Sequence, residues 1–239
     1  MRKALLLLVF PLLSVAMYAQ SAFEGTVNVY YTNEKSSTVA CEIKAKGDDI
    51  YIKQNENGNP KYDRFVINLA TRELYTISAR DKRVIIKYHL DSLLAYYSTN
   101  KLKEGFELKP AVSFTATDKT KKENGWELVK YTGENDLRKG TVWVGQTSAP
   151  INQLIPFLRL LGNWNDAEGN FKGQVIEADI SNKQSKKDSR IVVSVTTEPV
   201  AKEMFILPKT YVQKDFSKLM TEMRTSKDLK MIIQTFAEF

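Results

Sequence analysis

Period two dominates the hydrophobic pattern of the chain. Phe23 to Thr32 alternates Phe23, Gly25, Val27, Val29 and Tyr31 against Glu24, Thr26, Asn28, Tyr30 and Thr32, which predicts a strand with one face in a core and one in water. Thr38 to Lys46 repeats the pattern with Val39, Cys41, Ile43 and Ala45 inward. Turn residues Lys46 to Asp49 lead into a strand over Ile50 to Lys53, and Asn55 to Pro60 is a loop. Further strands are predicted over Arg64 to Leu69, Glu73 to Ser78, Arg83 to Tyr88, Phe106 to Thr117 (broken by Pro110), Trp126 to Thr132, Gly140 to Gly145, Gly173 to Ile180 and Arg190 to Glu198.

Helical spacing appears in few places. Leu90, Leu93, Leu94 and Tyr97 predict a short helix over Asp91 to Tyr97. The strongest helix runs from Ala149 to Leu161, with Pro150 in its first turn, Gly162 as its stop and Pro156 expected to kink or divide it. Helical candidates at Phe216 to Met223 and Leu229 to Phe236 make a helical tail from about residue 212. About ten hairpin-linked strands with a few helices predict a mainly β (α+β) fold. The expected architecture is a curved antiparallel sheet or incomplete β-barrel, helices on its concave side, in a single domain over 21–239.

Met1 to Gln20 has a positive start (Arg2, Lys3), an apolar run from Ala4 to Met17, and then small and polar residues. That run is shorter than the roughly 20 residues a membrane-spanning helix needs. It has the layout of a signal peptide, with cleavage expected after Ala19 or within Gln20 to Ala22, so the product is expected in the periplasm or cell envelope. Without Arg2 and Lys3, 33 basic residues face 28 acidic ones, and the charge falls from +7 to +5. Lys119, Lys121 and Lys122, and Lys183, Lys186, Lys187 and Arg190, are expected at turns. Each cluster is read as a solvated hairpin tip or a contact for anionic headgroups. Neither has interleaved aromatics, which disfavours a nucleic-acid groove.

Candidate chemistry is sparse. There is one cysteine, Cys41, and one histidine, His89, too few for a zinc site. Cys41 alternates with inward residues and His89 stands at a strand end, so both read as structural. No Gly-x-Ser-x-Gly, phosphate loop or dinucleotide fingerprint occurs. Asn163 to Asn170 reads as a polar turn more than a cation loop. No cofactor and no catalytic residue is expected, although carboxylate pairs that meet only in space stay open.

The apolar stretch Pro150 to Leu161 reads three ways: plain core, a plug over a barrel mouth touching an acyl chain, or a partner surface. With the strand alternation it nominates Val27, Val29, Tyr31, Trp143, Leu154, Ile155, Phe157 and Leu158 as the lining of an apolar cavity. The expected function is a non-catalytic binding protein for lipid or acyl chains, monomeric. The alternative is an envelope interaction protein with a self-filled core and no ligand.

The order FEGTVNVYY, INLATRELYTI, KRVIIKY, NGWELVKYTGE, KGTVWVGQ, INQLIPFLRLLG, KGQVIEADI and EMFILPKTY resembles a family of secreted bacterial envelope proteins of unknown function. That family is similar in turn to the periplasmic lipoprotein carrier LolA and its receptor LolB. The resemblance covers Phe23 to Tyr211. It implies an incomplete antiparallel barrel with helices in its concave side, an apolar cavity between them and, less directly, lipid binding. The receptor's lipobox cysteine is missing here, which implies a free soluble protein. The tail after Tyr211 has no counterpart in the family.

Overall fold

The computed structural model describes residues 22–33, 36–54, 64–78, 83–95, 112–161, 164, 167, 169–186 and 188–216. The leader, the Asn55 to Pro60 loop, the stretch from Phe106 to Ala111 and the tail beyond Phe216 lie outside the described residues.

Alternation does what it predicts at the start of the chain. β1 (Glu24–Asn33), β2 (Ser36–Lys46) and β3 (Asp49–Gln54) form an antiparallel meander. β4 (Arg64–Asn68), β5 (Glu73–Ser78) and β6 (Val84–His89) extend it, and residues 90–95 form a short helix, α1. β7 (Phe114–Glu123) and β8 (Trp126–Glu134) meet at Asn124–Gly125, where both residues take positive φ, 51° and 80°, as a type I′ hairpin turn requires. The lysines 119, 121 and 122 therefore lie in strand β7, where the sequence reading expected a turn. β9 (Arg138–Gly145) leads to α2 (Ile151–Leu160), and β10 (Gln174–Asn182) and β11 (Asp188–Thr197) form the next hairpin.

All these strands share one open sheet in the order β12-β6-β5-β4-β3-β2-β1-β11-β10-β9-β8-β7. The last strand, β12 (Val212–Asp215), stands where the helical tail was expected to begin and corrects those residues alone: it pairs in parallel with β6, the one parallel pair among the described strands. The exposed edge of β6 explains it. Val212 N–H donates to Arg83 O and Phe216 N–H to Lys87 O, and the Phe216 ring stacks on Tyr88 at 6.0 Å. Those contacts outweigh a marginal local helix preference.

The sheet curves around α2. Asn152 donates from Nδ2 to Gly173 O and accepts from Val175 N–H at β10, while Phe157 meets Phe65 of β4 edge-on at 5.3 Å. Five strand intervals separate β4 from β10, ~24 Å across a flat sheet, against a helix only ~15 Å long. α2 touches both because the sheet wraps it. The helix is continuous through Pro156, which the sequence was expected to divide. Pro156, in mid-helix, removes the one N–H that would bond the Asn152 carbonyl, and Asn152 is pinned to β10 by its own side chain.

The inner face and α2 share one core cluster, which includes Val27, Val29, Ile43, Leu154 and Phe157. At the β7 end Phe171 closes it, packing on Tyr131 at 5.2 Å and Phe114 at 5.7 Å. A second cluster of Val66, Ile77 and Ile85 lies on the outer face, packed by Leu207 and Tyr211. Residues 198–211 cross that face as a strap. Val200 N–H donates to Glu24 at 2.8 Å, Lys46 bonds Val200 O at 3.2 Å, and Glu198 takes the Thr26 hydroxyl and Lys44.

Candidate functional site

The structure brings seven of the eight nominated residues to one face. Val27, Val29 and Tyr31 point inward from β1, and Leu154, Ile155, Phe157 and Leu158 descend from α2. Val27, Val29, Leu154, Phe157 and Leu158 are each at most 2% exposed and Ile155 is 3%. At these positions helix meets sheet with essentially no water-accessible surface. Tyr31 is half-buried against the same cluster.

Trp143 is the exception. Val142 and Val144 on either side of it are core residues, so the pleat turns Trp143 to the outer face. The period-two reading needed the opposite phase in β9. The Trp143 ring lies under two ammonium groups, Lys121 at 4.6 Å and Lys130 at 5.8 Å from its centroid.

That outer region is where charge gathers. In register across the sheet stand Lys130, Trp143, Glu177, Val192 and Tyr30. Glu177 is nearly buried, yet Lys121 reaches it at 2.6 Å from the edge strand and also bonds Glu123 at 2.5 Å. Arg190 lies 3.6 Å from Glu177 and 3.6 Å from Asp179. Burial works against the charge of Lys121, but its hydrogen bonds to Glu123 and Glu177 outweigh that and raise its pKa. The Lys121 hydrogen bond likewise holds Glu123 below the ordinary carboxylate value. Gly145 makes room beneath: a Cβ there would lie 2.8 Å from Leu128 Cδ2 and 3.1 Å from the Trp126 indole.

Glu177 was missed in the sequence, although its signal was present. It is a lone carboxylate in the apolar run Val175, Ile176, Ala178, which a bulge between Val175 and Glu177 turns outward. The two basic clusters prove partly internal. Lys121 is tied to two carboxylates, Lys183 to Glu134 at 3.1 Å, and Arg190 to Glu177 and Asp179. The β7–β8 and β10–β11 turns lie at opposite ends of the strands, yet Lys121 and Arg190 both reach Glu177.

Cys41 is buried with no accessible surface, and burial pushes its thiol up to about 12. The His89 ring is 3.5 Å from the Ser92 hydroxyl at the start of α1. Among the described residues no group of three or more His, Cys, Asp or Glu is placed to hold a metal, and Trp164 and Ala167 of the Asn163 to Asn170 stretch are buried in the core. No described helix is long and apolar enough to cross a membrane.

No family model matches the sequence, and no curated protein matches it. Among solved structures the chain is similar to PNGF-II, seen in C2 and P21 crystal forms, at 15% identity with TM-scores of 0.42 and 0.41. The likeness covers 83% and 81% of this chain and 32% of the other, so the chain spans about a third of the length of PNGF-II.

Proposed function

We propose that this chain is a non-catalytic binding module of the cell envelope, exported by its leader, that works through the outer face of its sheet. At the described residues of α2 and the strands facing it, its concave side is filled by its own core. The observation that carries this reading is the seam between α2 and the sheet, where Leu154, Phe157 and Leu158 meet Val27 and Val29 with almost no accessible surface. Admitting a ligand there means opening at least the ~300 Å³ of a small ligand pocket. At ~24 cal/mol per Å³ that costs about 7 kcal/mol before ligand contacts offset it. A whole domain is stable by only about 5–15 kcal/mol. In this reading the likeness to the lipoprotein carrier extends to architecture and not to cargo.

The carrier reading keeps one observation in its favour. Thr76 Oγ1 is buried without a hydrogen-bond partner, and its register with Phe65 and Ile86 puts it on the inner face, where a polar headgroup could meet it. Titration with a fluorescent fatty acid, parinaric acid, separates the two. The surface reading predicts no saturable binding to the native protein. Saturable 1:1 binding displaced by oleate would restore the carrier.

A further inference from the structure

Two depressions lie along β11 on the outer face. One, of about 420 Å³, is lined by Thr32, Asp179, Ser181, Asp188, Ser189 and Arg190. The other, of about 100 Å³, lies further along the strand between the β7–β8 turn and residues 192–195, with Trp126, Glu177 and Ser194 in its walls. Glu177 and Arg190 stand between them. Tyr30, 36% exposed, adjoins Val192 in register and flanks the trough on its β1 side.

We infer that this trough binds a neutral oligosaccharide lying along β11. The inference deepens the surface reading above and rests on it. A sugar hydroxyl both donates and accepts, and the larger depression offers both partners: carboxylates on Asp179 and Asp188, hydroxyls on Thr32 and Ser181, and the Arg190 guanidinium. At 3.6 Å from both Glu177 and Asp179, that guanidinium is ion-paired with each at more than hydrogen-bond distance, so its charge stays balanced while its N–H groups can donate to a ligand.

The charges interleave: Lys121 sits between Glu123 and Glu177, and Arg190 between Glu177 and Asp179. A polyanion or a strongly cationic ligand would meet like charge as often as opposite. An acyl chain would leave those carboxylates and hydroxyls without partners. A peptide adding as a strand is excluded by position, because β11 is paired on both sides by β1 and β10. Recognition must come from side chains alone. The exposed Tyr30 ring gives a sugar an apolar surface to stack on.

The test is a titration of the ¹⁵N-labelled full chain with maltotriose and chitotriose, up to about 10 mM each, since weak affinities near ~1 mM are the range to cover. The amides of residues 30–32, 179–181 and 188–192 should shift with at least one sugar. Asp179→Ala should weaken that binding about tenfold, the loss of one charge-assisted hydrogen bond. Tyr30→Ala should weaken it less, with the thermal midpoint of both variants showing that they fold. No shift with either sugar overturns the inference, and so does a shift that Asp179→Ala leaves unweakened. Displacement of the sugar by inorganic phosphate at equal concentration would assign the trough to an anion instead. If the sugars fail and parinaric acid also fails to bind, the saccharide is wrong and the surface reading stands. Saturable fatty-acid binding would overturn the surface reading itself.

Discussion

The two halves of the sheet treat their outer faces differently. From β4 to β6 the outer positions include Val66, Ile77 and Ile85, all buried, and residues 198–211 lie over them with Leu207 and Tyr211 inserted. From β7 to β11 the outer positions carry Lys121, Lys130, Glu177 and Arg190 around Trp143, and no described segment covers them. An apolar outer row must be covered, and the chain uses about fourteen residues to cover it. A row that neutralises itself in ion pairs can stay open to solvent, and only an open face can meet a partner. Side-chain chemistry on one surface of a continuous sheet thus separates a structural half from a half available for binding.

Truncation breaks the comparison most strongly. Ile85→Ala, at a position 1% exposed under the strap, should cost about 2–5 kcal/mol in urea denaturation, as a core residue does. Val192→Ala, half-buried in the open half, should cost about 1 kcal/mol or less. Equal costs would mean that the two faces are alike.

Next comes the ion pair. Lys121→Met leaves Glu177 nearly buried with Arg190 alone at 3.6 Å, and should cost about 1–3 kcal/mol. Adding Glu177→Leu should recover most of that loss, because an apolar pair of similar volume no longer strands a charge. A double variant as unstable as the single would place the defect elsewhere.

Acid sharpens the comparison at the strap. Glu24 lies below its ordinary value of 4.5, held first by the Lys46 hydrogen bond, and Glu198 lies below 4.5, held first by the Thr26 hydroxyl and then by Lys44. Groups with lowered pKa contribute fully above 4.5 and lose their contribution as pH falls through the lowered values. Both anchor the strap, so the amides of Val212 and Phe216 should lose hydrogen-exchange protection, corrected for intrinsic rate, below pH 4.5. Uniform loss over the whole sheet would argue against a separately anchored strap. The smallest effect is expected at the tips: Lys122→Gln and Lys186→Gln should each move stability by less than about 0.5 kcal/mol.

Much of the fold was legible because its signals are local. The alternation in Phe23 to Thr32 and Thr38 to Lys46, and the apolar stretch at α2, each declare an element and its buried side. β12 was illegible because Val212–Asp215 pairs in parallel with Val84–Lys87, more than a hundred residues away, and no turn announces the partner. The burial of both faces at Val84 to Ile86 had a signal in the unbroken apolar run, but only the strap shows what covers the second face. Trp143 was misplaced by one step of the pleat. The trough was illegible for a different reason: Lys121, Glu177 and Arg190 stand on three different strands, and sequence spacing carries no information about their meeting.

Between α2 and the sheet, the described side chains of the protein fill the space themselves. A native mass spectrum of the protein, purified without detergent, decides this. The expected mass is that of the bare polypeptide. A stoichiometric adduct of lipid or acyl-chain mass, surviving gentle activation and lost on unfolding, would contradict it.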